Sequence, residues 1–202
     1  MLHIGSISRN KNRYFFHENI FISGNGTNMK HIFQAIKNGK ISHSMVNLVI
    51  SDRWCKAIQY ALKENISVFS LIKTKKKFLS KEIDNILVRY IPDIIVLSGF
   101  LSILDAEFCE KWFNKVINIH PSLLPKYGGK GMYGIKVHQK IIKNKEKISG
   151  ATVHYVTKNV DLGDIILKKT CIIDSGETPI SLSKKVSIIE KEILIQSINK
   201  LL

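Results

Sequence analysis

Asn118 and His120 lie two positions apart at the end of an apolar stretch, and Asp161 follows later in a turn. Side chains alternate across a strand, so Asn118 and His120 would point to the same side of a sheet. An Asn amide can donate to a developing oxyanion, and a His can donate or accept a proton near neutral pH. If Asp161 returns beside His120, its carboxylate would orient the imidazole and raise its pKa.

Each of these residues also has an ordinary structural explanation. A His at a strand–loop junction can simply be hydrogen-bonded there. An Asp in the segment 160–164 (VDLGD) is typical of a turn. The residue types therefore favour acid–base chemistry only if the fold brings them together.

A glycine-rich segment, Ser23 to Asn28 (SGNGTN), stands between a predicted strand and a predicted helix. Glycines let the backbone approach a ligand, and the N–H groups at a helix N-terminus suit a phosphate. The segment matches neither GxGxxG nor GxxxxGK[ST], the two common nucleotide-binding motifs. The alternative is a plain tight turn with Thr27 or Asn28 as the N-cap.

The remaining chemistry-bearing residues indicate no metal site. The histidines show no HxxxH spacing, and His154 is more typical of a packed or hydrogen-bonded residue than of a ligand. The three cysteines form no CxxC pair and each is expected to be buried: Cys55, Cys109 and Cys171.

Strand and helix patterns alternate through the first part of the chain, which is typical of a parallel sheet covered on both sides. The predicted strands are 19–23, 46–51, 66–70, 93–100 and 116–120. The predicted helices are 28–38, 55–64, 80–90, 105–114 and 135–144. Segments 150–156 and 164–173 are expected to extend the sheet antiparallel, before a closing amphipathic helix over 179–202. The fold class is thus α/β: a Rossmann-like, doubly wound, mostly parallel sheet with antiparallel additions in the C-terminal half.

The 202 residues are enough for one domain, which we place at 19–202 after an N-terminal extension over 1–18. No apolar run is long enough to span a membrane and no secretory signal is evident, so we expect a cytoplasmic protein. The net charge of +15 is compatible with anionic partners such as phosphorylated or carboxylated small molecules, although a lysine-rich composition spread over the surface is the more ordinary explanation. No basic stripe interleaved with aromatic residues indicates nucleic-acid binding.

These segments, in this order, resemble the phosphoribosylglycinamide formyltransferases over residues 19–202. SGNGTN resembles their phosphate loop, PDIIVLSGFLSIL (92–104) their central strand and folate segment, NIHPSLLPKYGG (118–129) their signature, and HYVTKNVDLGDII (154–166) their folate-binding loop. The resemblance implies transfer of a formyl group from 10-formyltetrahydrofolate to the amine of 5'-phosphoribosylglycinamide in purine synthesis. It implies these two small-molecule partners, no metal, and a monomer or homodimer in the formyltransferase fold.

The resemblance also assigns roles to individual positions. Asn118, His120 and Asp161 fall on the catalytic residues. Substrate phosphate and glycinamide contacts fall on Gly26, Thr27, Asn28 and Glu190. Folate contacts fall on Leu101, Ser102, Ile103, Leu104, Asn118, Thr157, Lys158, Asn159, Val160 and Asp161.

Three departures and one alternative remain open. Ser102 stands where some relatives have Arg, and the basic residue after the third strand, Lys76 or Lys77, is not assigned. The loop Gly128–Gly131 is longer than in some relatives. The Asn-x-His…Asp set also serves formylfolate hydrolases, in which water replaces the amine as acceptor.

Overall fold

A computed structural model describes residues 15–72 and 74–202 as a seven-stranded sheet with helices on both faces. The strands are β1 (Phe16–Ile22), β2 (Ser44–Ser51), β3 (Ser67–Ser70), β4 (Ile94–Ser98), β5 (Val116–His120), β6 (Ile148–Tyr155) and β7 (Ile165–Ile172). The helices are α1 (Thr27–Lys37), α2 (Lys56–Lys63), α3 (Leu79–Leu87), α4 (Ala106–Lys111), α5 (Ile135–Lys143) and α6 (Pro179–Leu201), with a short 3₁₀ turn at Lys76–Phe78.

The sheet has the order β3-β2-β1-β4-β5-β6-β7. The first five strands pair in parallel, while β6 pairs antiparallel with β5, and β7 antiparallel with β6. The predicted fold class is therefore confirmed, including the antiparallel additions. The antiparallel pairing of β6 with β7 fits their connectivity, since the loop 156–164 joins them without a crossover helix.

The start of β1 differs from the prediction. The strand begins at Phe16, so Phe16–Glu18 belong to the sheet although we placed them in the extension. These residues pair with β2, and Glu18 is fully buried beside it. The polar and aromatic residues of 1–18 show no clear periodicity, so sequence analysis did not predict this pairing. The rest of the predicted extension, residues 1–14, lies outside the described residues.

The core consists of two apolar layers, one on each face of the sheet. Helices α1, α2, α5 and α6 cover one face, and α3 and α4 cover the other. Cys55 and Cys109 are buried as predicted, whereas Cys171 on the edge strand β7 is only partly buried. An edge strand is covered less completely than an inner strand, so the prediction that Cys171 is buried is only partly correct.

The closing helix α6 is the longest element and packs on β6 and β7. Thr178 and Ser181 form a reciprocal capping box, and Pro179 stands in the first turn, so the sequence defines where the helix begins. Its predicted apolar face is buried as expected: Leu182, Val186, Ile189 and Ile193. Within the described residues, no helix is long and apolar enough to span a membrane.

Candidate active site

A cavity of about 680 Å³ opens at the carboxyl ends of β4 and β5. Ligands typically bind at this edge of an open parallel sheet. Most of the predicted site residues line it: Asn28, Leu101, Ser102, Ile103, Leu104, Asn118, His120, Thr157, Val160, Asp161 and Glu190. Four do not line it: Gly26, Thr27, Lys158 and Asn159. Gly26 and Thr27 immediately precede the lining residue Asn28, while Lys158 and Asn159 form the exposed outer part of their turn.

Asn118 is held by a histidine from the neighbouring strand. The register of β5 and β6 places Asn118 opposite His154, with 3.2 Å between Asn118 Nδ2 and His154 Nε2. His154 Nδ1 lies 2.8 Å from the Tyr155 carbonyl oxygen, so Nδ1 carries the proton and Nε2 accepts from the amide. This orients the Asn118 amide and leaves its second N–H for a ligand.

Sequence analysis interpreted His154 as a packed or hydrogen-bonded residue, which is confirmed, but did not place it in the site. It is almost fully buried and lines the cavity. The pairing register of β5 and β6 could have found it, because two polar side chains that lie opposite each other on adjacent buried strands tend to hydrogen-bond to each other.

Asp161 returns beside His120, which is the condition that the acid–base interpretation depended on. Its Oδ2 lies 3.5 Å from His120 Nδ1 and its Oδ1 lies 3.5 Å from His154 Nε2. The backbone N–H of Gly129 donates to Oδ2 at 2.8 Å, so the loop after β5 holds the carboxylate from the other side. The glycine-rich loop after β5 thus helps to build the site.

The neighbours of Asp161 keep it ionised. Burial alone would raise the pKa of this carboxyl. The neighbouring imidazoles of His154 and His120, together with the Gly129 N–H, outweigh burial and lower the pKa below its ordinary value. Asp161 is therefore a carboxylate at neutral pH.

Asp161 raises the pKa of His120, as sequence analysis expected, but burial outweighs this effect and favours the neutral imidazole. Burial lowers the pKa of His120, and the opposing effects of Asp161 and the Tyr127 carbonyl do not fully restore it. His120 Nε2 lies 2.8 Å from that carbonyl oxygen and donates to it. Nδ1 is consequently the nitrogen that can take up a proton, on the side facing Asp161.

The N-terminus of α1 begins with a glycine that cannot be replaced easily. Gly26 has a φ of 68°, and a Cβ there would lie 2.6 Å from the Cβ of Ala57. No side chain caps the helix and its first turn contains no acidic residue. The N-cap is thus Gly26, and not Thr27 or Asn28 as the tight-turn alternative assumed. The uncapped N–H groups and the partial positive charge of the helix suit an anion.

Three further polar side chains line the same cavity. The Oδ1 of Asn28 is buried without a partner among the described residues. Glu190, on α6, has its pKa raised to about 7 by burial. His138, on α5, lines the same cavity, and burial together with the charge of His120 lowers its pKa to about 4. Sequence analysis missed His138 because its position on a helix carried no motif.

The segment after β4 gives the cavity an apolar wall. Leu101 and Ile103 are large apolar side chains that remain about half exposed, 43% and 58%, while Leu104 is buried. Ser102 Oγ donates to Asp52 at 2.6 Å. Half-exposed apolar side chains lining a cavity are available to cover a flat ring.

No group of three or more His, Cys, Asp or Glu side chains that could hold a metal occurs in residues 15–72 and 74–202.

The fold and the site together define a class: an α/β protein with an amide, an imidazole and a carboxylate in one cavity at the carboxyl edge of its sheet. The formyl transferase family matches residues 19–198, and the chain belongs to this family.

Named relatives agree with this assignment. The chain is 32% identical over 171 residues to a chloroplastic phosphoribosylglycinamide formyltransferase of Arabidopsis thaliana, covering 83% of this chain and 59% of the relative. It is 29% identical to the phosphoribosylglycinamide formyltransferase of Escherichia coli, covering 83% of this chain and 78% of that protein. The structure of a glycinamide ribonucleotide transformylase from Geobacillus kaustophilus superposes with a TM-score of 0.85 at 29% identity, covering 93% and 99% of the two chains. The chain thus spans about three fifths of the length of the plant relative.

Proposed function

We propose that this protein transfers the formyl group of 10-formyltetrahydrofolate to the amine of 5'-phosphoribosylglycinamide, a step of purine synthesis. The observation that carries the proposal is the meeting of Asn118, His120 and Asp161 in the cavity of a formyl transferase family member. The relatives named phosphoribosylglycinamide formyltransferase support this acceptor over others.

The reaction begins with attack of the substrate amine on the formyl carbon, which forms a C–N bond and an oxyanion. The free N–H of the Asn118 amide donates to that oxyanion. Nδ1 of neutral His120 takes the proton that the amine loses, and Asp161 stabilises the resulting imidazolium. Collapse of the intermediate breaks the bond to N10 of the folate, which receives the proton from His120.

The two ends of the cavity bind the two substrates. The N-terminus of α1, with Gly26, Thr27 and Asn28, takes the phosphate of the ribonucleotide. Glu190 contacts the glycinamide group near the reacting amine. The folate occupies the opposite end, where its pterin ring lies on the segments 101–104 and 157–161. Binding both substrates in one cavity supplies much of the rate acceleration through proximity.

A spectrophotometric assay with purified protein tests the proposal. Turnover of 10-formyltetrahydrofolate is expected only when 5'-phosphoribosylglycinamide is present. Formate release without the ribonucleotide would instead make the protein a hydrolase with the same chemical groups. No turnover under either condition from folded protein would contradict the proposal.

Two variants test the assigned roles. We expect His120→Ala and Asp161→Asn each to reduce kcat by about 10² or more. The matched control is His31→Ala, which removes a histidine of α1 that does not line the cavity. Near-normal turnover in both site variants would show that the roles are wrong. The cytoplasmic location and the monomeric or homodimeric state stay predictions.

A further inference from the structure

Asp52 connects three loops at the carboxyl edge of the sheet, although it does not line the cavity. Its Oδ1 accepts from Ser23 Oγ at 2.6 Å, and its Oδ2 accepts from Ser102 Oγ at 2.6 Å. Arg53 donates to the same carboxylate through Nε at 3.1 Å and Nη2 at 2.8 Å. The backbone N–H of Leu101 in turn donates to Ser23 Oγ at 2.8 Å.

The position of each partner follows from strand order. Asp52 follows β2, Ser23 follows β1, and Ser102 lies in the segment after β4. These three strands are consecutive neighbours in the sheet, so their ends meet at one edge. The Asp52 carboxylate therefore sits between the segment that begins the phosphate loop and the segment that forms the apolar wall.

The Asp52 side chain is only 2% exposed, yet it is ionised. Burial would raise its pKa, but the hydrogen bonds from Arg53, Ser102 and Ser23 lower the pKa below its ordinary value. A buried carboxylate is stable only while such donors stay in place. The carboxylate and its donors therefore fix one another's positions.

We propose that Asp52 is a positioning residue that holds the segments 23–28 and 99–104 as one unit. This inference rests on the proposed function, in which the first segment binds the ribonucleotide phosphate and the second the folate. Ser102 accordingly serves to attach its segment to Asp52. Because the two segments are held as one unit, a ligand that binds one segment also lowers the entropy cost of fixing the other.

Hydrogen–deuterium exchange of the unliganded protein tests the positioning role without any assay of activity. In Asp52→Asn, the neutral amide cannot accept from all four donors, so peptides covering 23–28 and 99–104 should exchange about tenfold faster than in the native protein. Ser102→Ala keeps the charge and should accelerate mainly the segment 99–104. It also serves as the second variant if Asp52→Asn fails to fold.

The matched control is Asp84→Asn. Asp84 also accepts from a cation and a neutral donor, Lys111 at 2.6 Å and Trp112 at 3.0 Å, but it lies on α3 away from the cavity. This variant should leave exchange in 23–28 and 99–104 unchanged. Native-like exchange in these segments in both Asp52→Asn and Ser102→Ala would overturn the inference.

Steady-state kinetics add a readout that a merely structural role would not change. Asp52→Asn should raise KM for both substrates about fivefold or more, while kcat stays within about threefold, because the reacting groups on β5 are untouched. A fall in kcat with both KM values unchanged would contradict the inference. If the native protein shows no ribonucleotide-dependent turnover, the proposed function fails, and the exchange experiment still decides the role of Asp52.

Discussion

Glu18 offers a pH-dependent test of how strand β1 is stabilised. It lies in β1, between β2 and β4, and is fully buried. Ser44 Oγ donates to its Oε1, and Oε2 has no hydrogen-bond partner among the described residues. Burial raises the pKa of Glu18 from 4.5 to about 7, despite the opposing effect of Ser44. The native protein therefore keeps a proton on Glu18 that the unfolded chain releases above pH 4.5.

The size of the effect follows from this difference in pKa. Since each pH unit between the two pKa values changes the free energy of unfolding by about 1.4 kcal/mol, Glu18 destabilises the native state by about 3 kcal/mol above pH 7. The free energy of unfolding begins to fall near pH 4.5, and this decrease is complete just above pH 7. Glu18→Gln is permanently neutral and can still accept from Ser44. We expect it to match the native protein near pH 4.5 and to exceed its stability by about 2–3 kcal/mol at pH 8.

Chemical denaturation at several values between pH 4.5 and pH 8 measures this difference. Glu190, whose pKa is also raised to about 7, is present in both proteins, so its contribution cancels when the two curves are subtracted. Glu64→Gln is the control: Glu64 pairs with Lys37, which lowers its pKa, so that variant should differ from the native protein in the opposite direction. A stability difference between Glu18→Gln and the native protein that stays constant with pH would refute the reasoning.

Three further results are expected. Asn118→Ala should lower kcat by about 10²–10³ with little change in KM, because it removes an oxyanion donor. A kcat within about threefold of the native value, measured at saturating substrates, would exclude that role. In the protein without substrates, NMR should give His120 a pKa below the ordinary value of 6.5, and Asp161→Asn should lower that pKa further, because the carboxylate raises it. An upward shift of the His120 pKa in Asp161→Asn would contradict the geometry. Gly26→Ala should reduce the free energy of unfolding by about 1–3 kcal/mol and raise KM for the ribonucleotide, because the added Cβ collides with Ala57. An unchanged midpoint of denaturant unfolding would show that α1 can shift to make room.

Most of the fold was predictable because its elements are marked locally. Apolar periodicity, glycines and prolines located every strand and helix to within a few residues, and the antiparallel pairing of 150–156 with 164–173 followed from their short connection. The start of β1 was not predictable, because the polar residues His17 and Glu18 interrupt the apolar pattern, and only their pairing with β2 shows that they belong to the strand.

Sequence analysis could predict which residues form the candidate site better than it could predict their protonation states. The family resemblance brought Asn118, His120 and Asp161 together correctly, but it could not show that burial lowers the pKa of His120. Protonation depends on the balance between burial and neighbouring charge, and that balance is set by the whole fold. Asp52 was missed for a related reason, since its partners come from two other loops.

The register between β5 and β6, together with the turn after β6, explains why these groups form a site. β6 runs antiparallel to β5 and ends beside the start of β5, with Tyr155 opposite Ile117. The register places His154 against Asn118, and the turn after β6 then folds back so that Asp161 lies beside both His120 and His154. The loop after β5 reaches the same carboxylate through Gly129. Strand register and one returning turn thus bring two sequence-distant segments to a single imidazole, which is why the antiparallel addition belongs to the chemistry as well as to the architecture.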